Sequence, residues 1–276
     1  MKSNVKVSVV IPTYNRPDML ITLLKSLENQ TFKNFEVVVV VDGDGDGKTT
    51  NTVKNYKKNC PYPLEVEVIS NSGCSVARNR GISLAKSNIV AFTDDDCVPD
   101  NDWLKKGIMY FENSNVVGIE GVIYTSGRSN VFHNAPQILK PSSFIHGKTA
   151  NMFYRREILQ KVDGFDERFT IISSRGHIGH RGDTDLAWSA QDYGEIPFAE
   201  DVRVFHPLRR MTLKKTIKDT KSHMMTPLLL KKHPDRAKDV LYLTLFPITT
   251  TSPLKIFWFL IGLIKGKIEN ENLHVC

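Results

Sequence analysis

Two apolar, β-branched-rich runs near the N-terminus, Val5–Ile11 and Phe35–Val41, constrain this chain most. A strand with one face in water alternates apolar and polar residues, whereas a strand covered on both faces stays apolar throughout. Both runs therefore predict buried strands in a sheet with helices on each face. Pro12 ends the first run. Pro17 stands where a first helical turn begins, and Met19, Leu20, Leu23, Leu24 and Leu27 recur at helical spacing. Leu64–Ile69 and Ile89–Thr93 read as further strands, with a helix at Val76–Ala85 between them. Such alternation predicts parallel pairing in a doubly wound α/β sheet. Ligands of these sheets bind at the carboxyl ends of strands. Asp42 and Asp94-Asp95-Asp96 stand at two such ends.

The pattern changes from Val116. Val116–Tyr124 and Thr149–Tyr154 read as strands, Arg156–Val162 and Asp183–Tyr193 as helices, and Phe198–Phe205 as a last strand. Beyond Pro207 the chain reads as basic and apolar helices. A length of 276 residues suits one large α/β domain with a C-terminal appendage. The expected division is 1–207 as catalytic domain, with a donor half to about 115 and an acceptor half after it, and 208–276 as helical extension. Hydrophobic content of 41% and charged content of 24% exclude wholesale disorder. The cysteines Cys60, Cys74, Cys97 and Cys276 form no C-x-x-C pair, which suits a reducing compartment. With no leader pattern at Met1–Ser8, the expected location is the cytoplasm.

Charge is uneven. Residues 203–238 carry eleven Lys and Arg against Asp219 and Asp235, an excess larger than the whole chain's net +7. Such a block suits nucleic acid, anionic lipid, a phosphorylated substrate or plain solvent.

The loop Asp42-Gly-Asp-Gly-Asp-Gly-Lys-Thr-Thr imitates two motifs. A phosphate-cradling loop needs glycine where Asp42 stands, and a calcium loop needs its closing carboxylate where Val53 stands. A flexible turn with a task for Asp42 alone is the expectation. Asp94-Asp95-Asp96 carries more weight, because adjacent carboxylates at a strand end are costly unless a positive group joins them. On an extended segment Asp94 and Asp96 would share one side and offer hard oxygen ligands to Mg²⁺ or Mn²⁺.

In this setting the chain resembles family 2 glycosyltransferases of the GT-A fold. Val9-Val10-Ile11-Pro12-Thr13-Tyr14-Asn15-Arg16 is similar to that family's opening strand and nucleotide-binding turn. Asp42 matches its base-contacting carboxylate, Ala77-Arg78-Asn79-Arg80-Gly81 its helix near the nucleotide, and Phe92-Thr93-Asp94-Asp95-Asp96 its D-x-D motif. Gly164-Phe165-Asp166-Glu167 and Asp183-Thr184-Asp185-Leu186 resemble its acceptor-side motifs, in the family's order. The match runs over roughly residues 5–206.

The resemblance implies inverting transfer from a nucleotide-diphosphate sugar. It implies donor contacts from Pro12, Thr13, Tyr14, Asn15, Arg16, Asp42, Arg78, Asp94 and Asp95, and a divalent cation, Mn²⁺ or Mg²⁺, on Asp96 and Asp94. His206 is a third candidate ligand. Asp183 is the expected base, with Asp185 its rival. Asn151, Arg155, Asp166 and Asp185 are expected near the acceptor, and Arg209 and Arg210 near phosphate oxygens. Gly182 and Ser189 depart from the family's usual residues around the base. His177, His180 and Arg181 crowd the same loop.

Uridine or thymidine donors are favoured, since Asp42 can accept from their imino N–H. The acceptor is expected to be a glycan or lipid-linked, with no nucleic acid involved. The Gln-x-x-Arg-Trp signature of polymerising relatives is absent, and the apolar run Ile256–Ile264 is far short of the about 20 residues a spanning helix needs. One sugar per encounter is expected, with membrane-surface contact through Phe257, Trp258, Phe259 and the basic block, on the inner face. A homodimer is the other use for that surface. A nucleotidyltransferase would want a glycine-rich loop after the first strand, which Pro12-Thr13-Tyr14-Asn15 is not. A non-catalytic nucleotide or glycan binder would not need a metal site together with a separate base.

Overall fold

A computed structural model describes residues 6–125, 147–171, 178–179, 181–207, 220, 222–239 and 252–271. The N-terminal half alternates as the apolar runs require: β1 (Val7–Thr13), α1 (Pro17–Glu28), β2 (Phe35–Asp42), α2 (Lys48–Lys57), β3 (Leu64–Ile69), α3 (Cys74–Leu84) and β4 (Ile89–Phe92). Then come β5 (Val98–Pro99), α4 (Trp103–Met109), β6 (Gly118–Tyr124), β7 (Met152–Arg155), α5 (Arg156–Lys161), β8 (Thr170–Ile171), β9 (Ile178–Gly179), α6 (Gly182–Gln191) and β10 (Phe198–Phe205). Helices α7 (Thr226–Lys232) and α8 (Ser252–Glu271) follow.

Among the described residues the main sheet runs β3-β2-β1-β4-β7-β6-β10-β5. Within it the mostly apolar, buried strands β1 and β2 are neighbours, and their parallel register sets Val7 beside Phe35 and Thr13 beside Val41. Strand β7 runs antiparallel to both β4 and β6, and β5 antiparallel to β10, so the sheet is mixed but mainly parallel. Val7, Val9 and Ile11 of β1 face Leu20, Leu23, Leu24 and Leu27 of α1, while Val10 turns to the opposite layer with Ala77 and Ile82 of α3. Each fully buried Val or Leu contributes about 1.5–3 kcal/mol, so these two layers hold the strand ends in place.

The aspartates after β2 do more than make a turn. Asp44 accepts from the backbone N–H of Thr49 and Thr50, and Asp46 from that of Lys48, so both cap the start of α2. The loop's carboxylates are thereby committed to backbone amides, and the calcium reading lapses.

Candidate active site

Asp42 ends β2 with both oxygens held: Oδ1 accepts from Ser72 N–H at 2.7 Å and Oδ2 from Gly73 N–H at 2.8 Å. It thereby fixes the loop that leads into α3. After β4 the chain turns at once, because Cys97 N–H donates to the Asp94 carbonyl. The expectation of an extended Asp94–Asp96 segment is corrected by this turn, and the three carboxylates diverge. Asp94 takes Arg78 of α3 at 2.9 Å. Asp95 accepts from Thr13 Oγ1 at 2.8 Å and from Arg16 at 2.9 Å. Asp96 lies 3.5 Å from Arg16 and 3.5 Å from His206 Nε2. Burial pushes the Asp95 carboxyl above its ordinary pKa, against the pull of Arg16 and Thr13. Tyr14 is exposed and Asn15 holds a left-handed φ of 51°, so the turn Pro12–Arg16 projects Tyr14 outward while Thr13 and Arg16 reach back to the aspartates.

Register explains why His206 arrives beside Asp96. Phe205, the last residue of β10, pairs antiparallel with Val98, so the next residue along meets the turn before Val98. His206 Nδ1 lies 2.9 Å from the Pro207 carbonyl, an acceptor for its N–H, and Nε2 faces Asp96. Ligand atoms of Asp96, Cys97 and His206 lie within 4.8 Å of one another. Asp94 stands outside this group, which corrects its place as second ligand. A carboxylate oxygen and an imidazole nitrogen fit a Mn²⁺-type ion. Burial pushes the Cys97 thiol well up, with Asp94 and Asp96 adding to the shift, and a soft sulfur suits a Mn²⁺-type ion less than the oxygen of Asp96 does.

Asp183 sits in the first turn of α6, entered through Arg181 at φ 70°. Desolvation raises its pKa above the ordinary carboxylate value, opposed by Arg78, by the Thr184 N–H, and by Lys148 and Arg181. Lys148 reaches this place because Gly147, at φ 72°, passes so close that a Cβ there would stand 2.4 Å from the Asp183 carbonyl. Arg78 thus touches Asp94 on the strand-end side and acts on Asp183 from the other, with its guanidinium over the Phe165 ring.

Asp185 differs from its neighbour. It is 2% exposed, and its oxygens are held by Lys232 Nζ at 2.7 Å and His233 Nε2 at 2.9 Å. Lys232 also reaches Asp166 at 2.9 Å, where Arg168 makes a second ion pair. Burial would raise the Asp166 carboxyl, but Arg168 and Lys232 hold it well below the usual range. Trp188 meets His233 edge to face and carries Arg236 over its ring. Helix α7 and the residues after it are therefore fastened to α6, a link that nothing in the spacing of the sequence announced.

Two expected acceptor residues are corrected. Asn151 is fully buried; it donates to the carbonyls of Val122 and Val202 and accepts from Trp103 Nε1, each at 2.9 Å. The β6–β10 register shifts between Ala199 and Arg203, and Asn151 fills that irregularity. Gly121 is glycine for the same reason, since a Cβ would come 2.3 Å from Asn151 Nδ2. Arg155 pairs with Ile89, the first residue of β4, which puts it at the sheet edge opposite the aspartates. There it donates to the carbonyls of Phe111, Asn113 and Val116. Arg209, Arg210, His177 and His180 lie outside the described residues.

The family model for glycosyl transferase family 2 matches residues 8–175. Glycosyltransferase AglE of Haloferax volcanii is 30% identical over 215 residues, 74% of this chain and 67% of that protein. The amylovoran biosynthesis glycosyltransferase AmsB of Erwinia amylovora is 30% identical over 144 residues, 51% of this chain and 45% of its own length. Among solved structures, the mannosyltransferase PcManGT from Pyrobaculum calidifontis, in complex with GDP-Man and Mn²⁺, matches with a TM-score of 0.65 at 16% identity, covering 95% of this chain and 75% of that one. S. aureus TarS 1–349 in complex with UDP matches at 0.65 and 21%, covering 91% and 75%. These structures show the fold, GT-A, and the sequence matches show the family: the chain belongs to glycosyl transferase family 2 and is a glycosyltransferase.

Proposed function

We propose that this enzyme is an inverting, metal-dependent, non-processive hexosyltransferase. It takes a sugar from a nucleoside diphosphate donor to a hydroxyl of a glycan or lipid-linked acceptor. Residues 1–207 form the catalytic unit, split near 115 into donor and acceptor halves, and 208–276 form the helical extension. The carrying observation is Arg78, which hydrogen-bonds Asp94 at the strand end and acts electrostatically on the desolvated Asp183. Donor carboxylates and base carboxylate are thus two sides of one site.

In this reading the acceptor hydroxyl oxygen bonds to the anomeric carbon as the bond from that carbon to the phosphate oxygen breaks. The nucleoside diphosphate leaves with the electron pair on the opposite face, and the hydroxyl proton passes to Asp183. A positioned base of this kind contributes roughly 10²–10⁴-fold, and a raised pKa makes Asp183 a better proton acceptor than an ordinary Asp. Lys232 and His233 hold the two oxygens of Asp185 in ionic contacts, which favours Asp183 over it as the base. Asp96 and His206 would hold the divalent cation, which offsets charge developing on the leaving diphosphate. Thr13, Arg16 and Asp95 set the floor of the donor site. Each Asp42 oxygen keeps a second lone pair beside its backbone contact, which is what a uracil or thymine imino N–H needs. PcManGT was solved with a guanosine donor, so GDP-sugars belong in any panel. Among the described residues no helix is long and apolar enough to cross a membrane, in keeping with single additions.

Nucleoside diphosphate release from UDP-, dTDP- and GDP-sugars tests the reading. One nucleotide should support release with Mn²⁺, and Asp183→Asn should lower it by at least about 10²-fold. Unchanged release in that variant, with Asp185→Asn inactive but folded, would move the base to Asp185 and sink this assignment.

A further inference from the structure

Helix α8 has two apolar faces, and only one is covered. On the inner face Gly262 packs so closely on Met224 that a Cβ would stand 2.3 Å from the Met224 carbonyl oxygen. On the outer face Ile256, Phe257, Leu260 and Leu263 are 40%, 50%, 51% and 39% exposed. Their spacing of one, four and seven places them on a single helical stripe. A helix apolar all round is a covered helix, and a contiguous exposed apolar stripe marks an interaction site.

Charge decides the occupant. Residues 203–238 hold eleven Lys and Arg against two Asp, and α8 holds Lys255, Lys265 and Lys267 ahead of Glu269 and Glu271 at its far end. On the segment that packs beside α8, Lys231 and Lys238 are exposed. A second copy carries the same net charge of +7, and like charge opposes its approach. An anionic bilayer attracts the lysines and takes the apolar stripe at once. From Ile256 to Leu263 the helix axis advances only about 10 Å, which suits lying in the headgroup layer and not crossing it.

The same helix packs on α7, whose Lys232 holds Asp185 at 2.7 Å, two positions from Asp183. Lys255, the residue before Ile256, is held below its ordinary pKa by burial and by Arg181, and Arg181 caps the helix that carries Asp183. His223 of the segment against α8 responds to the same two cations, drawn down to about 3 by burial, Arg181 and Lys255.

We infer that α8 lies in the surface of an anionic bilayer with Ile256, Phe257, Leu260 and Leu263 inserted, and that it holds the Asp183 site at the lipid surface. This rests on the proposed transfer only in giving a lipid-linked acceptor a route to Asp183. The face itself is tested without any acceptor.

The experiment is flotation of the full chain with phosphatidylcholine vesicles, with and without phosphatidylglycerol, for wild type and Phe257→Ser/Leu260→Ser. Both side chains are exposed, so the variant keeps its fold, and nucleotide binding on the same preparations tests the donor site separately. Wild type should partition onto phosphatidylglycerol vesicles, less so as salt rises, and the variant should lose at least about tenfold. Wild type that ignores both vesicle types, or a variant that binds as well as wild type, would overturn the inference. A wild-type dimer that the variant converts to monomer, with no vesicle binding, would overturn it in favour of a second copy.

Discussion

His233 Nε2 lies 2.9 Å from Asp185 Oδ1, and Lys232 Nζ lies 2.7 Å from the other oxygen of the same carboxylate. Two consecutive residues at the end of α7 therefore grip the first turn of α6, two positions past the proposed base. The grip holds α6 to the segment that packs against α8.

Asp185→Asn removes one charge from this grip and leaves Lys232 shared with Asp166 alone. The expected loss is about 1–3 kcal/mol of stability, read as a lower thermal midpoint. Because the donor floor is built from other elements, KM for the donor should hold while kcat falls. A variant that loses donor affinity in step with kcat would contradict this division of labour.

Asp183 must be ionised to accept a proton, and desolvation raises its pKa above the ordinary carboxylate value. Activity should therefore fall, as pH drops, from a higher pH than an ordinary Asp would give. The sign for stability is opposite: a raised carboxyl pKa favours the folded state below the unfolded pKa, and that contribution is lost as pH rises through the folded one. The pH profile of kcat/KM checks the first point, with nucleotide binding measured over the same range to separate loss of the base from loss of the donor site.

Asn151→Ala would strip partners from the Val122 and Val202 carbonyls and from the Trp103 indole, all buried. A cost of about 2–4 kcal/mol follows from unsatisfied buried polar groups. Denaturant unfolding should show it as a shifted midpoint with an unchanged slope. If stability held while acceptor KM rose, Asn151 would be returned to the acceptor pocket.

Much of the sheet was legible because its strands are covered on both faces. The apolar run of β2, the alternating edge strand β3 and the strand Phe198–Phe205 stand where the residues predicted them, within a position. Short elements were not legible. Strand β5 is two residues long and exists because β10 lies beside it, and that pairing is also what brings His206 to Asp96. Helix α2 was hidden by its polar sequence, of which only Thr49 and Val53 are buried. Its start depends on Asp44 and Asp46, which read as loop or as calcium ligands.

The site divided along the same line. Types and order of residues singled out the three aspartates, Arg78 and Asp183 as candidates, and an extended aspartate segment was expected where the chain turns. Their partners were tertiary facts. One turn, closed by Cys97 N–H on the Asp94 carbonyl, sends three consecutive carboxylates toward different side chains, Arg78, Arg16 and His206. Asn151 and Arg155 carried polar groups that spacing could not distinguish from acceptor contacts. The β10 irregularity and the far edge of the sheet claimed them.

The central claim is a nucleotide site whose diphosphate end is completed by a cation on Asp96 and His206. Calorimetric titration of UDP, dTDP and GDP into the protein, with Mn²⁺ and then with EDTA, tests it most directly beside Asp96→Asn and His206→Ala. One nucleotide should bind with Mn²⁺, weaken by at least about tenfold with EDTA, and lose that metal response in both variants. Binding that is equally tight with EDTA, or a full Mn²⁺ response in both variants, would contradict the account.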